Sequence, residues 1–157
     1  MKSKEDISNV FSRISGLLTR RGFNIDSLTV SATNDPNLSR ITIVFSATEQ
    51  KMQQILTQTE KLEVVKSIYV LNRENSLYRE LLLIKIEADQ SQRTAIKEIV
   101  DIFRGKIVDL SRESLIIELT GTPEKLDGFM DVIQDYKIAE VCRTGITGIE
   151  SHPKKLK

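Results

Sequence analysis

Arg20-Arg21-Gly22-Phe23-Asn24-Ile25-Asp26-Ser27-Leu28-Thr29-Val30 is the stretch around which this chain is organised. Its two arginines suit the negative end of a helix dipole, Gly22 supplies the stop, and Phe23 opens a strand that runs to Thr33. Phe23 and Ile25 mark one face of that strand, whereas Leu28 and Val30 fall on the opposite parity. The change of parity at Asp26-Ser27 predicts a β-bulge that re-aims the strand. Asn24 is a polar group at the strand mouth, where an apolar residue would stabilise more. The plain reading is that it tolerates the turn geometry after Gly22.

Working outward, Val10, Phe11, Ile14, Leu17 and Leu18 recur at helical spacing and make one apolar stripe before the stretch. Ser3, Asp6 and Ser8 are all competent N-caps for that helix. After the strand, Asn34-Asp35-Pro36-Asn37 is a turn cluster, and residues 38–47 answer with Ile41, Ile43 and Phe45 in alternation, so the pair reads as an antiparallel hairpin. Met52, Ile55, Leu56 and Leu62 give a second helix, and the β-branched run at residues 64–71 gives another strand.

The polar run Asn72-Arg73-Glu74-Asn75-Ser76 reads as a linker, and beyond it the plan repeats. Leu81-Leu82-Leu83-Ile84-Lys85-Ile86 reads as a strand buried on both faces. Ile96, Ile99, Val100 and Phe103 form a helix that Gly105 ends, and residues 107–110 and 115–119 form a hairpin about Ser111-Arg112-Glu113-Ser114. Thr122-Pro123-Glu124 starts a helix with a capping hydroxyl, a proline in the first turn and an acid near the positive end. Leu126, Phe129, Met130 and Ile133 supply its stripe, and residues 138–143 the last strand. The fold class is therefore α+β: two tandem ferredoxin-like βαββαβ domains, antiparallel sheets with helices on one face. The boundaries are residues 1–74 and 75–157, with a tail that frays from about residue 146. The other sheet face is left bare in each half, which makes dimerisation the expected outcome.

Composition narrows the function. The chain has 157 residues, 39% apolar and 29% charged, with 23 Lys and Arg against 22 Asp and Glu. That balance, with 5% aromatics and no Trp, lacks the basic surplus and stacking rings of a nucleic-acid binder. No apolar run approaches the roughly 20 residues a membrane span needs. The polar start Met1-Lys2-Ser3-Lys4-Glu5-Asp6 is unlike a secretory signal, and the lone Cys142 excludes an internal disulfide, so an intracellular, reducing location is expected. His152 is the only histidine and lies in the tail, so no triad or histidine metal site can be assembled. Cys142 reads as a small core residue. The seven glycines are scattered at element ends and form no phosphate loop. Glu124 and Asp127 read as dipole compensation in a first helical turn. Nothing points to catalysis by this chain alone. Three readings stay open: a small-molecule sensor with ligand between protomers, a regulatory subunit docked on an enzyme, or a plain assembly module.

Several motifs in order carry a resemblance. Ser12-Arg13-Ile14, Arg21-Gly22-Phe23-Asn24-Ile25 and Leu38-Ser39-Arg40-Ile41-Thr42 resemble the amino-acid-binding ACT domain of the small regulatory subunit of acetolactate synthase, or acetohydroxyacid synthase. Arg79-Glu80-Leu81-Leu82-Leu83-Ile84-Lys85, Ile102-Phe103-Arg104-Gly105-Lys106-Ile107-Val108-Asp109 and Ala139-Glu140-Val141-Cys142-Arg143-Thr144-Gly145 resemble its carboxyl-terminal domain. The resemblance implies a non-catalytic homodimeric subunit that activates the catalytic large subunit in branched-chain amino-acid synthesis. Thiamine diphosphate, Mg and FAD are then expected on that partner and no cofactor on this chain. The location implied is cytoplasmic, or the stroma if a plastid genome encodes the chain. The alternative kept beside it is a stand-alone ACT-type sensor or assembly module with no enzyme partner.

The resemblance also implies a valine site, or one for leucine or isoleucine, at the ACT dimer interface. Matched motif to motif, its loop and first helical turn fall on Asp6, Ser8, Asn9 and Val10, and the opposing strand entrance on Asn24 and Ile25. The family usually carries Asn where Asp6 stands and Gly where Asn9 stands. It also carries an apolar first strand where this sequence reads Lys2-Ser3-Lys4-Glu5, so that strand is expected to be truncated or degenerate.

Overall fold

A computed structural model of the chain describes the backbone of residues 4–151 and the side chains of residues 10–151. The elements follow in order: α1 (Lys4–Arg20), β1 (Ile25–Ala32), β2 (Ser39–Phe45), α2 (Glu49–Glu60), a 3-10 turn (Arg73–Asn75), β3 (Ser76–Glu87), α3 (Arg93–Ile102), β4 (Lys106–Leu110), β5 (Ser114–Gly121), α4 (Pro123–Ile133), β6 (Lys137–Arg143) and β7 (Thr147–Glu150). They group into two compact units. Residues up to Ser76, with those from Glu150 onward, make the first, and Leu77–Ile149 the second.

The second unit is a complete ferredoxin-like sheet, with strand order β4-β5-β3-β6 and every pairing antiparallel. Leu82, Ile84 and Ile86 of β3 and Leu115, Ile117 and Leu119 of β5 point to one face. There Ile96, Val100, Leu126, Phe129 and Ile133 of the two helices cover them completely. Phe103 meets Phe129 edge to face at 5.3 Å between ring centroids. Thr122 caps α4 by accepting from the Lys125 amide, with Pro123 in the first turn, as its sequence demands.

β3 is not buried on both faces. Leu83, Lys85 and Glu87 are exposed, because both helices lie on the other side of the sheet. The run of leucines hid an alternating strand. On its open face, register sets Lys85 opposite Glu140 and Lys106 opposite Glu118, while Lys137 and Glu87 form an ion pair. Such cross-strand opposite charges make a solvated face rather than an apolar one that requires a cover. Cys142 lies opposite Leu83 on this face and is exposed, not core.

Two helix ends use the same geometry with different residues. After α1 the Phe23 amide donates to the Leu18 carbonyl and the Gly22 amide to the Thr19 carbonyl, with Gly22 at φ 74°. After α3 the Gly105 amide donates to Val100 and the Arg104 amide to Asp101, but Arg104 takes the left-handed position at φ 56°. Gly105 is needed for space instead: a Cβ there would stand 3.2 Å from the Glu118 carbonyl oxygen and 3.2 Å from Val100 Cγ1.

In the first unit, Ile14, Leu18, Phe23 and Ile55 form the core, flanked by Val10, Ile25, Ile41, Ile43, Phe45, Ala47 and Leu62. β1 and β2 pair antiparallel, and register passes from Ile25 opposite Phe45 to Ser27 opposite Val44, leaving Asp26 as the extra residue. The bulge read from the parity change is there. Residues 64–71, expected as a strand, form none. In the second unit the strand after the last helix, β6, is held by β3, the strand that opens the repeat. Among the described residues, no strand of the first unit stands in the position that β3 holds in the second.

The linker read at residues 72–76 is a capped 3-10 turn that leads straight into β3. The tail expected to fray from about residue 146 instead forms β7, which pairs with β3, and the Ser151 amide reaches the Asn75 carbonyl at 2.8 Å. Backbone pairing along the long first part of β3 outweighs the glycine-rich composition there. His152 lies outside the described residues.

Candidate functional site

The organising stretch forms a turn at the C-terminal end of α1. Gly22 alone takes the left-handed conformation, so Asn24 has no such turn geometry to accommodate. Asn24 is exposed between Gly22 and β1. Ile25, next to it, is half-buried against the first-unit core and precedes the bulge. Beside them an open depression of about 380 Å³ is lined by Gly22, Phe23, Ser46, Ala47, Thr48 and Lys51. Thr48 caps α2 there, and the Lys51 ammonium stands 5.6 Å from the centroid of the Phe23 ring.

The residues matched to the other side of the site lie at the far end of α1. Asp6, Ser8, Asn9 and Val10 occupy its first two turns, and the side chains of the first three fall outside the described residues. Val10 is half-buried against the core of its own unit. Asn9 lies in the second turn of the described helix, where its amide bonds within the helix. At 1.5 Å per residue, Asp6 lies about 21 Å along the axis from Arg20. Asn24 and Ile25 follow the C-terminal end, just beyond Arg20. One chain therefore does not bring the two groups together.

Sequence reasoning missed the best-formed polar network. Arg143 of β6 forks onto Glu80 of β3, Nε to Oε1 at 3.0 Å and one terminal nitrogen to Oε2 at 2.7 Å; its other terminal nitrogen meets Asp127 Oδ1 of α4 at 2.7 Å. The Glu80 side chain is 6% exposed and that of Arg143 31%. Hydrogen bonding to Glu80 first, then to Asp127, raises the guanidinium pKa above its ordinary value against the opposing effect of burial. Asp127 is thus an ion-pair partner and not merely a dipole compensator. A signal for Glu80 was present: it shares the parity of Leu82, Ile84 and Ile86, the buried face of its strand. The network ties two strands to a helix and offers no nucleophile.

Among the described residues, no group of three or more His, Cys, Asp or Glu side chains is arranged to hold a metal, and no helix is long and apolar enough to cross a membrane. Comparison with known proteins separates the open readings. Residues 6–67 match the model of the AHAS small subunit-like ACT domain, and residues 79–152 that of the small subunit of acetolactate synthase. The acetolactate synthase small subunit of Mycolicibacterium smegmatis is 45% identical over 150 residues, 96% of this chain and 88% of that protein. The probable acetolactate synthase small subunit of Archaeoglobus fulgidus is 42% identical over 96% of this chain and 94% of its own. The crystal structure of the small subunit from Thermotoga maritima superposes with a TM-score of 0.83 at 37% identity, covering 92% of this chain and 91% of that one. The α+β plan of tandem ferredoxin-like units is therefore the plan of a known group, and this chain belongs to the acetolactate synthase small-subunit family.

Proposed function

We propose that this chain is the regulatory subunit of an acetolactate synthase. It activates the thiamine-diphosphate-dependent catalytic subunit and passes feedback inhibition by valine, or by leucine or isoleucine, to it. Thiamine diphosphate, Mg and FAD belong to that partner, and both subunits work in the same compartment, a cytoplasm or a plastid stroma. The observation that carries the reading is membership of the family along nearly the whole chain.

The effector lies between two copies of the first unit. The free amides and positive end of α1 suit a carboxylate, and Asn24 suits a polar group of the same ligand. Those features stand at opposite ends of α1, so a site that uses both takes one from each protomer.

The test mixes the purified chain with its cognate large subunit and follows acetolactate formation with and without valine. The chain alone gives no product, the mixture exceeds the large subunit alone, and valine lowers the excess. Asp6→Asn removes a carboxylate that, about 4 Å from the ligand carboxylate, would repel it by roughly 1 kcal/mol in water. Valine then inhibits at about five-fold lower concentration. No rate change and no co-elution with the large subunit would sink the regulatory reading. Activation without any valine effect would sink only the effector site.

A further inference from the structure

Within the second unit, β6 carries little in its own burial to fix how it pairs. Only Ile138 of this strand is half-buried; the rest is exposed, Val141 at 42% although Ile84 opposite it is buried. Its register with β3 also changes along its length. Ile86 faces Ile138 and Lys85 faces Glu140, so Ala139 is the extra residue of a bulge. Ile138 and the Lys137–Glu87 ion pair hold the part before the bulge. They do not fix the part after it. A bulge-free ladder from the same start would set Glu140 opposite Ile84, Val141 opposite Leu83 and Arg143 opposite Leu81. That slip of one residue turns every later side chain to the other face, and on a strand so exposed apolar burial does little to resist it.

We propose that Glu80, Arg143 and Asp127 form a register lock, which selects the bulged pairing of β6 on β3 over the bulge-free one. In the bulged register Arg143 stands opposite Leu82, on the helix face of the sheet. There it reaches both Glu80 oxygens, at 3.0 and 2.7 Å, and Asp127 of α4 at 2.7 Å. Asp127 is placed independently of β6, since Leu126 and Phe129 seat its helix in the core. In the bulge-free register Arg143 turns to the opposite face, away from both acids. Glu80, with its side chain 6% exposed, then keeps a buried charge with no cation, which costs more than the ladder position the bulge gives up. Thr144 continues the selected register: its amide donates to the Leu81 carbonyl and its hydroxyl accepts from the Leu81 amide, both at 3.1 Å. β7 follows directly after this corner and pairs with the same strand, so the three residues position the whole β6–β7 edge.

The test reads the register of full-length chains through intrachain disulfides. In Leu83→Cys the native Cys142 stands directly opposite the new thiol, and the pair can close. In Leu83→Cys with Val141→Cys and Cys142→Ser, the two thiols lie on opposite faces in the bulged register and meet only in the bulge-free one. After mild oxidation the first link is expected in at least about ten-fold excess over the second. Adding Glu80→Leu with Arg143→Met is expected to leave the chain folded by circular dichroism and to bring that ratio below about three-fold. A network that only stabilises would shift the urea midpoint without moving the ratio, so a folded double variant that keeps the native ratio overturns the lock. A ratio near unity with the network intact overturns it as well. Glu80→Gln keeps the side-chain shape and removes the charge, so it decides the question if the double variant does not fold. The lock lowers its ratio at least about two-fold, and an unchanged ratio overturns the proposal.

Discussion

Replacing Arg143 by methionine keeps most of the side-chain volume but leaves the Glu80 carboxylate without its cation. The carboxylate is 6% exposed and takes two of the three Arg143 contacts, at 3.0 and 2.7 Å. Breaking a buried pair by removing one partner costs about 3–5 kcal/mol. Arg143 itself is 31% exposed, so water reaches one side of the gap and the lower end, about 3 kcal/mol, applies. The Asp127 arm is 63% exposed on the acid side, so Asp127→Asn costs at most about 1 kcal/mol. Replacing both partners, Glu80→Leu with Arg143→Met, removes the stranded charge and restores stability to within about 1 kcal/mol of the native protein. The raised guanidinium pKa makes the Arg143 contribution fully present below the ordinary arginine value and lost only above it, so no loss from this group appears at working pH. The two units need not unfold together, so the assay is urea-dependent hydrogen exchange read on peptides of β3 and β6. The reasoning fails if Arg143→Met costs under 1 kcal/mol, if the double variant is no better than the single, or if Asp127→Asn matches Arg143→Met.

Gly22→Ala puts a Cβ at φ 74°, where no neighbour lies within 4 Å, so the cost is backbone strain alone, about 1–2 kcal/mol, and is read on peptides of α1 and β1. A loss confined to the second unit would contradict that assignment. Asp89 accepts from the Ser91 hydroxyl and then the Ser91 amide, which hold its carboxyl below the usual 3.8. A depressed carboxyl contributes stability above the unfolded value that is lost as pH falls through the folded one. Its NMR titration midpoint should therefore lie under 3.8 and move towards the ordinary value in Ser91→Ala, which removes the hydroxyl and keeps the amide; an unchanged midpoint would remove the Ser91 hydroxyl as a cause.

What sequence alone determined was local. The bulge at Asp26 follows from parity, because a period of two leaves no other way to put Ile25 and Leu28 on one face. The cap at Thr122 and the stop at Gly22 likewise rest on groups within a few residues of each other. Tertiary structure decided what depends on distant partners. β-propensity at residues 64–71 makes no strand among the described residues, while glycine-containing Thr147–Glu150 becomes one because β3 pairs with it. The leucine run of β3 could not reveal that helices cover only one face. Glu80 and Arg143, 63 positions apart, meet only once β3 and β6 are paired. The residues matched to an effector site were legible as motifs, but the length of α1 places them at opposite ends of that helix. Sequence carries short-range geometry directly, whereas burial, pairing and shared sites are set by what the fold brings alongside.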